Sequence, residues 1–401
     1  MARLLGGCWL AGLLLLTACS GGASGAAAEP STTAAASVPA ATNATVATVD
    51  DTLETTTVAL TTDVTSTTVQ STTTTSTTTT TSTPAATAST EPARHMQASP
   101  LPAPSGFNYY KPGPEWTGQA AFTGLPADET VTSRAALAVK IDNAVGGPPQ
   151  WNLADADLVF EENVEGVTRF VAVFQTNMPD RIGPVRSART SDINILASLN
   201  RPILAWSGGN PGVTLAVRGA HTYGWLVNLS AQSSNCFYRS GTRQAPHNLL
   251  LDPECARNSA TLAGPARPVF EHDAGGVPIY GAHEDRFAVK MDGLDVTWVW
   301  DAPSQRYLRR QRGDWHVDEE GNQIGAEDVV VLHIDYVASR ADPRSPEAVT
   351  VGSGRAVLHR GGRAISGTWS RADRFSPFTL LADDGRPLTL APGTTFVELA
   401  R

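Results

Sequence analysis

The chain has 401 residues, a formal net charge of −9, and only 17% of its residues are Asp, Glu, Lys or Arg. Because the balance is acidic and no block of Lys or Arg appears, nucleic acid is not expected as a partner. Nearly all Trp, Tyr and Phe residues follow residue 105. Only this part of the chain can therefore form a sizeable hydrophobic core.

Residues 1–19 have the pattern of an export signal. Arg3 precedes an apolar run from Trp9 to Leu16, which is too short to span a bilayer as a mature helix. The run ends in Leu16-Thr17-Ala18-Cys19, which resembles the lipobox of bacterial lipoproteins. That resemblance implies a cleaved signal peptide and a diacylated, palmitate-bearing Cys19 that anchors the protein on the extracytoplasmic face of the cell membrane. A plain secretory signal, with Cys19 incidental, is the alternative.

Residues 20–105 are almost entirely Thr, Ser and Ala and show no periodicity. Such a segment cannot bury enough apolar surface to offset the entropy lost on ordering. It is predicted to be a disordered stalk that holds the following domains away from the membrane.

Residues 106–260 are predicted to form an α/β, or α+β, domain. Short β-prone runs alternate with helical segments, which is the pattern of layered α/β structure. Strands are predicted at 137–141, 157–161, 170–174 and 202–206, and helices at 187–199 and 212–218.

Residues 261–290 are interpreted as a connecting segment, and residues 291–401 as a mainly antiparallel β domain. Strands are predicted at 296–300, 307–310 and 329–334, followed by hairpins that join 355–359 to 364–369 and 388–390 to 395–399. Four Trp residues of this half are assigned to its core rather than to a sugar-stacking surface: Trp298, Trp300, Trp315 and Trp369.

Two cysteines remain beyond the lipobox, Cys236 and Cys255. A disulfide is favoured in an oxidising compartment. A zinc site that uses His247, which lies between them, is the alternative, although the spacing matches no zinc-finger pattern.

The order of several motifs resembles the YerB-like lipoproteins, a family with paired N- and C-terminal domains of unknown function. In the first domain these motifs are Lys140-Ile141-Asp142-Asn143, the stretch 156–161, the stretch 164–170 and Gly183-Pro184-Val185-Arg186-Ser187-Ala188-Arg189. In the second domain they are 352–356, 367–369 and 390–394. The resemblance implies a bacterial envelope lipoprotein, and it implies no reaction because the family has no assigned activity.

Polar residues concentrate around the predicted strand ends of the first domain. If the first two strands are parallel neighbours, their carboxyl ends present Asp142, Asn143 and Glu161 at one edge, where α/β sheets bind ligands. Arg186 and Arg189 would share one face at a helix start and could grip phosphate or carboxylate. The residues predicted to bind an anionic envelope ligand or protein partner are Lys140, Asp142, Asn143, Glu161, Arg169, Arg186 and Arg189.

Two alternatives to a binding site stay open. The arginines could be structural partners of Glu161, Glu165 and Asp192. The chain could also be an enzyme acting on a wall polymer or a lipid-linked phosphate, with Glu161 or Glu165 as acid or base. No nucleophile elbow, phosphate-binding loop or metal-ligand spacing supports an enzyme, so no catalytic residue, metal or cofactor is predicted. His247 is interpreted as structural.

Overall fold

A computed structural model of the protein describes residues 118–273 and 280–401. The predicted signal peptide and stalk lie outside these residues. The described part confirms the predicted fold class, with mixed α/β structure in the first half and mainly antiparallel β structure in the second.

The elements follow one another in this order along the chain. The helices are α1 (Glu129–Thr132), α2 (Thr190–Leu196), α3 (Pro211–Thr222) and α4 (Pro253–Ser259), with 3-10 turns at Leu153–Asp155 and Ala197–Leu199. The strands of the first half are β1 (Leu137–Asp142), β2 (Leu158–Val164), β3 (Val167–Phe174), β4 (Ile203–Trp206), β5 (Val227–Ser230), β6 (Phe237–Arg239) and β7 (Leu249–Leu251). The strands of the second half are β8 (Ala282–His283), β9 (Arg286–Met291), β10 (Leu294–Asp301), β11 (Arg306–Gln311), β12 (Asp314–Trp315), β13 (Gly325–Ala326), β14 (Asp328–His333), β15 (Tyr336–Ala338), β16 (Pro346–Ala348), β17 (Gly352–Arg360), β18 (Arg363–Arg371), β19 (Thr379–Ala382) and β20 (Thr395–Ala400).

One large sheet contains strands from both halves of the chain. Its order is β19-β18-β17-β14-β20-β2-β3-β1-β4-β5, and β8 adds to β18. The last strand, β20, lies between β14 and β2 and runs parallel to both. A second, antiparallel sheet has the order β12-β11-β10-β9, with β13 paired to β11.

The large sheet is buried on both faces. Alternate residues of its strands enter two different hydrophobic clusters, as expected when successive side chains point to opposite faces. One face, which we call the helix face, packs against α2 and α3. The other, the sheet face, packs against the second sheet through residues such as Trp298 and Tyr307.

The predicted hairpin at 388–399 is wrong. Leu390 makes one parallel bridge to His272, and residues 395–400 pair instead with β14 and β2. Every residue of β20 is buried, and a strand covered on both faces belongs in the centre of a sheet. The turn signal at Pro392-Gly393 concerns only neighbouring residues, so it could not indicate this central position in the sheet.

Two further predictions need correction. Strands β1 and β2 are not neighbours, because β3 lies between them and pairs antiparallel with both. Helix α2 begins only at Thr190, so Arg186 and Arg189 lie before it rather than on one of its faces. Residues 183–186 instead run beside the end of β1, where the Arg186 N–H donates to the Lys140 carbonyl at 2.8 Å.

Cys236 and Cys255 form a disulfide, with their Cα atoms 5.4 Å apart. It links the start of β6 to α4 and confirms the predicted pairing. Trp298 and Trp369 are buried as expected, whereas Trp315, also assigned to the core, is 49% exposed.

Candidate functional site

The site is built where β1 ends and the segment 183–189 runs alongside it. The Asp142 N–H donates to the Pro184 carbonyl at 2.9 Å, which places the side chains of Asp142 and Arg186 next to each other. In the antiparallel register, Arg169 of β3 lies opposite Asp142. Local backbone pairing, rather than a helix, therefore brings these charges together.

A buried carboxylate organises this edge of the sheet. Asp142 is fully buried, and its Oδ2 lies 3.1 Å from Arg186 Nε and 2.7 Å from His247 Nδ1. Its Oδ1 accepts the Ala144 N–H at 3.1 Å. Among the described residues, neither the terminal nitrogens of Arg186 nor His247 Nε2 has a partner. One aspartate thus holds two side chains whose outer nitrogens stay free.

Arg169 adds a third positive charge beside them. It is only 6% exposed, and one terminal nitrogen donates to the Ser187 carbonyl at 3.1 Å. Its Nε is buried without a hydrogen-bond partner. Burial, together with repulsion from Arg189 and Arg186, lowers the pKa of Arg169 to about 10. We call Arg169, Arg186 and Arg189 the arginine cluster.

Arg189 is paired with a carboxylate at the surface. Its Nε donates to Glu165 Oε1 at 2.9 Å, and its terminal nitrogen bonds the other carboxylate oxygen. Ser345 Oγ also donates to Glu165 at 2.6 Å. Burial acts to raise the pKa of Glu165, but the hydrogen bonds from Arg189 and Ser345 prevail and lower it to about 2. Glu165 is therefore ionised and internally neutralises one of the three arginines.

An open cavity of about 510 Å³ lies against this pair. It is lined by Glu165, Ser187, Arg189, Gly209, Asn210, Asp342 and Arg344. Of the arginine cluster, Arg189 is the member that lines this cavity.

The other predicted site residues are enclosed by protein. Lys140 is fully buried, and its ammonium contacts Asp192 Oδ1 at 2.7 Å and the carboxylate of Glu162. We call Lys140, Glu162 and Asp192 the lysine network. Burial raises the pKa of Glu162, against the attraction of Lys140.

Glu161 and Asn143 lie on the sheet face, opposite Asp142, because side chains alternate along β1 and β2. Asn143 Nδ2 donates to Glu161 Oε1 at 3.1 Å and to Thr168 Oγ1 at 2.8 Å. Glu161 is also ion-paired with the fully buried Arg309 from the second sheet. The structure therefore separates both residues from the arginine cluster, and Glu161 and Glu165 have different partners rather than facing a common space.

The sequence did not indicate the partners of two residues. Arg309 pairs with Glu161, which is 148 residues away along the chain, and nothing local indicates that pairing. His247, interpreted from the sequence as structural, contacts Asp142, which is 105 residues away.

Within the described ranges, no group of three or more His, Cys, Asp or Glu side chains is arranged to hold a metal ion. None of the helices among residues 118–273 and 280–401 combines the length and apolarity needed to cross a membrane.

The fold is that of an α/β protein whose two halves share one sheet. The arginine cluster gives the first half a positively charged site at the end of β1. Two family models match the chain: the N-terminal domain of a protein family of unknown function (DUF3048) over residues 122–265, and the C-terminal domain of the same family over residues 287–397. The chain belongs to this family, which confirms the resemblance to YerB-like proteins.

A curated relative and a solved structure agree with this assignment. The Bacillus subtilis (strain 168) protein described as "Putative lipoprotein YerB" is 26% identical over 292 residues, which cover 70% of this chain and 86% of that protein. The crystal structure of YerB from Bacillus subtilis matches with a TM-score of 0.60 at 23% identity, covering 70% of this chain and 96% of that chain. The structural match shows a common fold.

Proposed function

We propose that this protein is a lipid-anchored envelope protein that binds an anionic ligand at the arginine cluster. One observation carries the proposal: the three guanidinium groups of the arginine cluster lie close together, Asp142 and Glu165 are the carboxylates that contact them, and Arg189 lines an open cavity. The positive charge is therefore only partly neutralised, and Arg186 still presents free terminal nitrogens. An anion with two or more oxygens would neutralise the remaining positive charge and accept hydrogen bonds from the guanidinium groups.

The ligand class follows from the donors. Guanidinium groups bind phosphate and carboxylate in a bidentate manner, whereas a neutral ligand would leave the excess charge uncompensated. Glu165 already occupies Arg189 in the way that an external carboxylate would, so Arg186 is the first contact for an incoming anion. The source of the anion, an envelope polymer or a protein partner, is a matter for binding experiments.

Titration of the mature protein with inorganic phosphate tests this function. Phosphate should raise the melting temperature, because a ligand that binds only the folded state stabilises it. Arg186→Gln should weaken phosphate binding roughly tenfold, the loss of one charge-assisted contact. Arg355→Gln is the control, because Arg355 is an exposed arginine that also pairs with a carboxylate, Asp383.

Arg189→Ala separates binding from a purely structural role. A modest loss of melting temperature with weaker phosphate binding is expected, because the Glu165 it releases is partly exposed. A large loss of stability, with phosphate having no effect on either protein, would contradict the proposal and make the cluster an internal ion network.

Anchoring is the second part of the proposal. It is supported by the lipobox-like Leu16-Thr17-Ala18-Cys19 and by the name of the Bacillus relative. Cys19→Ala should release the protein from the membrane fraction or leave its signal uncleaved. Cys8→Ala, which changes a cysteine inside the predicted signal, should leave anchoring intact. Full membrane retention of a processed Cys19→Ala protein would remove this part of the proposal.

A further inference from the structure

His247 is held in a defined orientation at the edge of the arginine cluster. Its Nδ1 lies 2.7 Å from Asp142 Oδ2, while 27% of its side chain is exposed. A carboxylate can only accept a hydrogen bond, so Nδ1 is the donor and Nε2 is turned away from Asp142. Nε2 has no hydrogen-bond partner among the described residues.

A glycine packs closely against this ring. Gly146 has φ of +90°, and an added Cβ would lie 3.2 Å from His247 Cδ2 and 3.4 Å from its Nε2. Only glycine accepts both this backbone conformation and this approach without strain. The loop after β1 is thus shaped around the histidine, with Gly146 beside its Cδ2–Nε2 edge.

His247 and Arg186 lie next to each other. Both side chains are anchored on the same oxygen of Asp142, Arg186 through Nε at 3.1 Å. The imidazole therefore lies beside a guanidinium group that can hold an anion. A carboxylate-oriented histidine next to a bound electrophile is the arrangement of general-base catalysis.

We propose that His247, positioned by Asp142, is the general base for hydrolysis of a phosphoester bound at the arginine cluster. This activity rests on the proposed function, since the ester's phosphoryl oxygens are held by the same arginines. The substrate class is a phosphate ester, because its anionic oxygens match the guanidinium donors and its phosphorus is open to attack by water.

The chemistry balances without a further reactant. His247 Nε2 takes a proton from a water molecule as the water oxygen attacks phosphorus, and one phosphorus–oxygen ester bond breaks. The leaving alkoxide takes a proton from solvent, and the imidazolium returns its proton to solvent. The products are an alcohol and a phosphate with one ester bond fewer, while the arginines stabilise the charge that develops on the phosphoryl oxygens.

The test measures hydrolysis of p-nitrophenyl phosphate and bis(p-nitrophenyl) phosphate by the mature protein. His247→Gln should reduce the turnover rate at least about 100-fold, the usual contribution of a positioned base. The same variant should still bind inorganic phosphate, since the arginines remain. The control is His283→Gln, because His283 also pairs with an aspartate, Asp285, at a distant exposed position. It should retain full turnover.

A pH profile provides the second readout. The wild-type rate should rise with pH, as general-base catalysis requires, and this limb should be absent from the residual rate of His247→Gln. Phosphate binding in the variant shows that it is folded.

The outcomes distinguish the two proposals. If wild-type protein binds phosphate but hydrolyses neither ester, or if His247→Gln keeps the wild-type rate, the catalytic inference is overturned and the binding function stands. If phosphate does not bind at all, the binding function itself fails.

Discussion

The lysine network and the arginine cluster lie next to each other on β1, yet they are opposite kinds of charge arrangement. Lys140 and Asp142 are two residues apart on the helix face of the sheet. Lys140 meets two buried carboxylates and is closed off from solvent. Asp142 meets Arg186 and His247, whose outer nitrogens are free.

The difference shows that enclosure of all the members, and not burial of one of them, separates a structural ion network from a binding site. Asp142 and Lys140 are both fully buried. The lysine network is covered by α2, which contributes Asp192, whereas Arg189 of the arginine cluster lines an open cavity. Charge enclosed by partners stabilises the fold, and charge left with free donors remains available to a ligand.

Removal of the central cation of the lysine network should have the largest effect. Lys140→Met strands the carboxylates of Glu162 and Asp192 in the interior, and breaking a buried pair in this way costs about 3–5 kcal/mol. Chemical denaturation measures the free energy of unfolding. Lys290→Met is the matched control, because Lys290 is exposed on β9 and its loss should cost no more than about 0.5 kcal/mol. Equal costs for the two variants would break the comparison.

Asp328 tests the role of saturation at a third place. It is fully buried, and its Oδ1 lacks a hydrogen-bond partner. Burial raises its pKa to about 8, although Arg360 and the Ala391 N–H favour the charged form. The folded state therefore keeps a proton that the unfolded chain loses near pH 4, and this residue's contribution to stability falls as pH rises from about 4 to about 8.

Asp328→Asn should remove that contribution, because the amide imitates the neutral acid. Relative to wild type, the variant should become more stable, with a larger free energy of unfolding, as pH is raised from 4 to 8. Denaturation curves at several pH values give the difference. A difference that does not change with pH would show that Asp328 titrates normally.

The smallest effect is expected at the open cluster. Glu165→Gln removes the carboxylate that neutralises Arg189, so phosphate affinity should rise several-fold. Stability should change by no more than about 1 kcal/mol, the usual range for a partly exposed ion pair. Calorimetric titration measures the affinity. Weaker phosphate binding in this variant would indicate that Glu165 helps to bind the ligand rather than competing with it.

Much of the fold could be predicted because short segments of the sequence indicate its individual strands and helices. The strands that became β1, β3 and β4 are apolar and bounded by turn or charged residues, and the helix predicted at 187–199 is present at Thr190–Leu196. The hairpin of β17 and β18 was recognisable from Gly361-Gly362, which have φ of +60° and +72°. These signals are local, and local backbone preference was sufficient to form the predicted elements.

The candidate site was predictable only in part. Arg186 lies beside Asp142 through backbone pairing of residues 183–186 with β1, and not through the helix face that the sequence predicted. Sequence could not show that Glu161 would pair with Arg309 on the opposite face, or that His247 would meet Asp142. Those contacts join residues more than 100 positions apart, and no periodicity relates them.

By itself, the sequence determined the composition boundary at the stalk, the alternation of strand and helix, the disulfide pair and the family. Tertiary structure alone decided that β20 would join the two halves in one sheet and which charges would be enclosed. The physical reason is that propensity and patterning act over a few residues, whereas saturation of a buried charge depends on which distant segments pack over it. Asp142 could be recognised in the sequence as a candidate, but only packing left Arg186 and His247 open beside it.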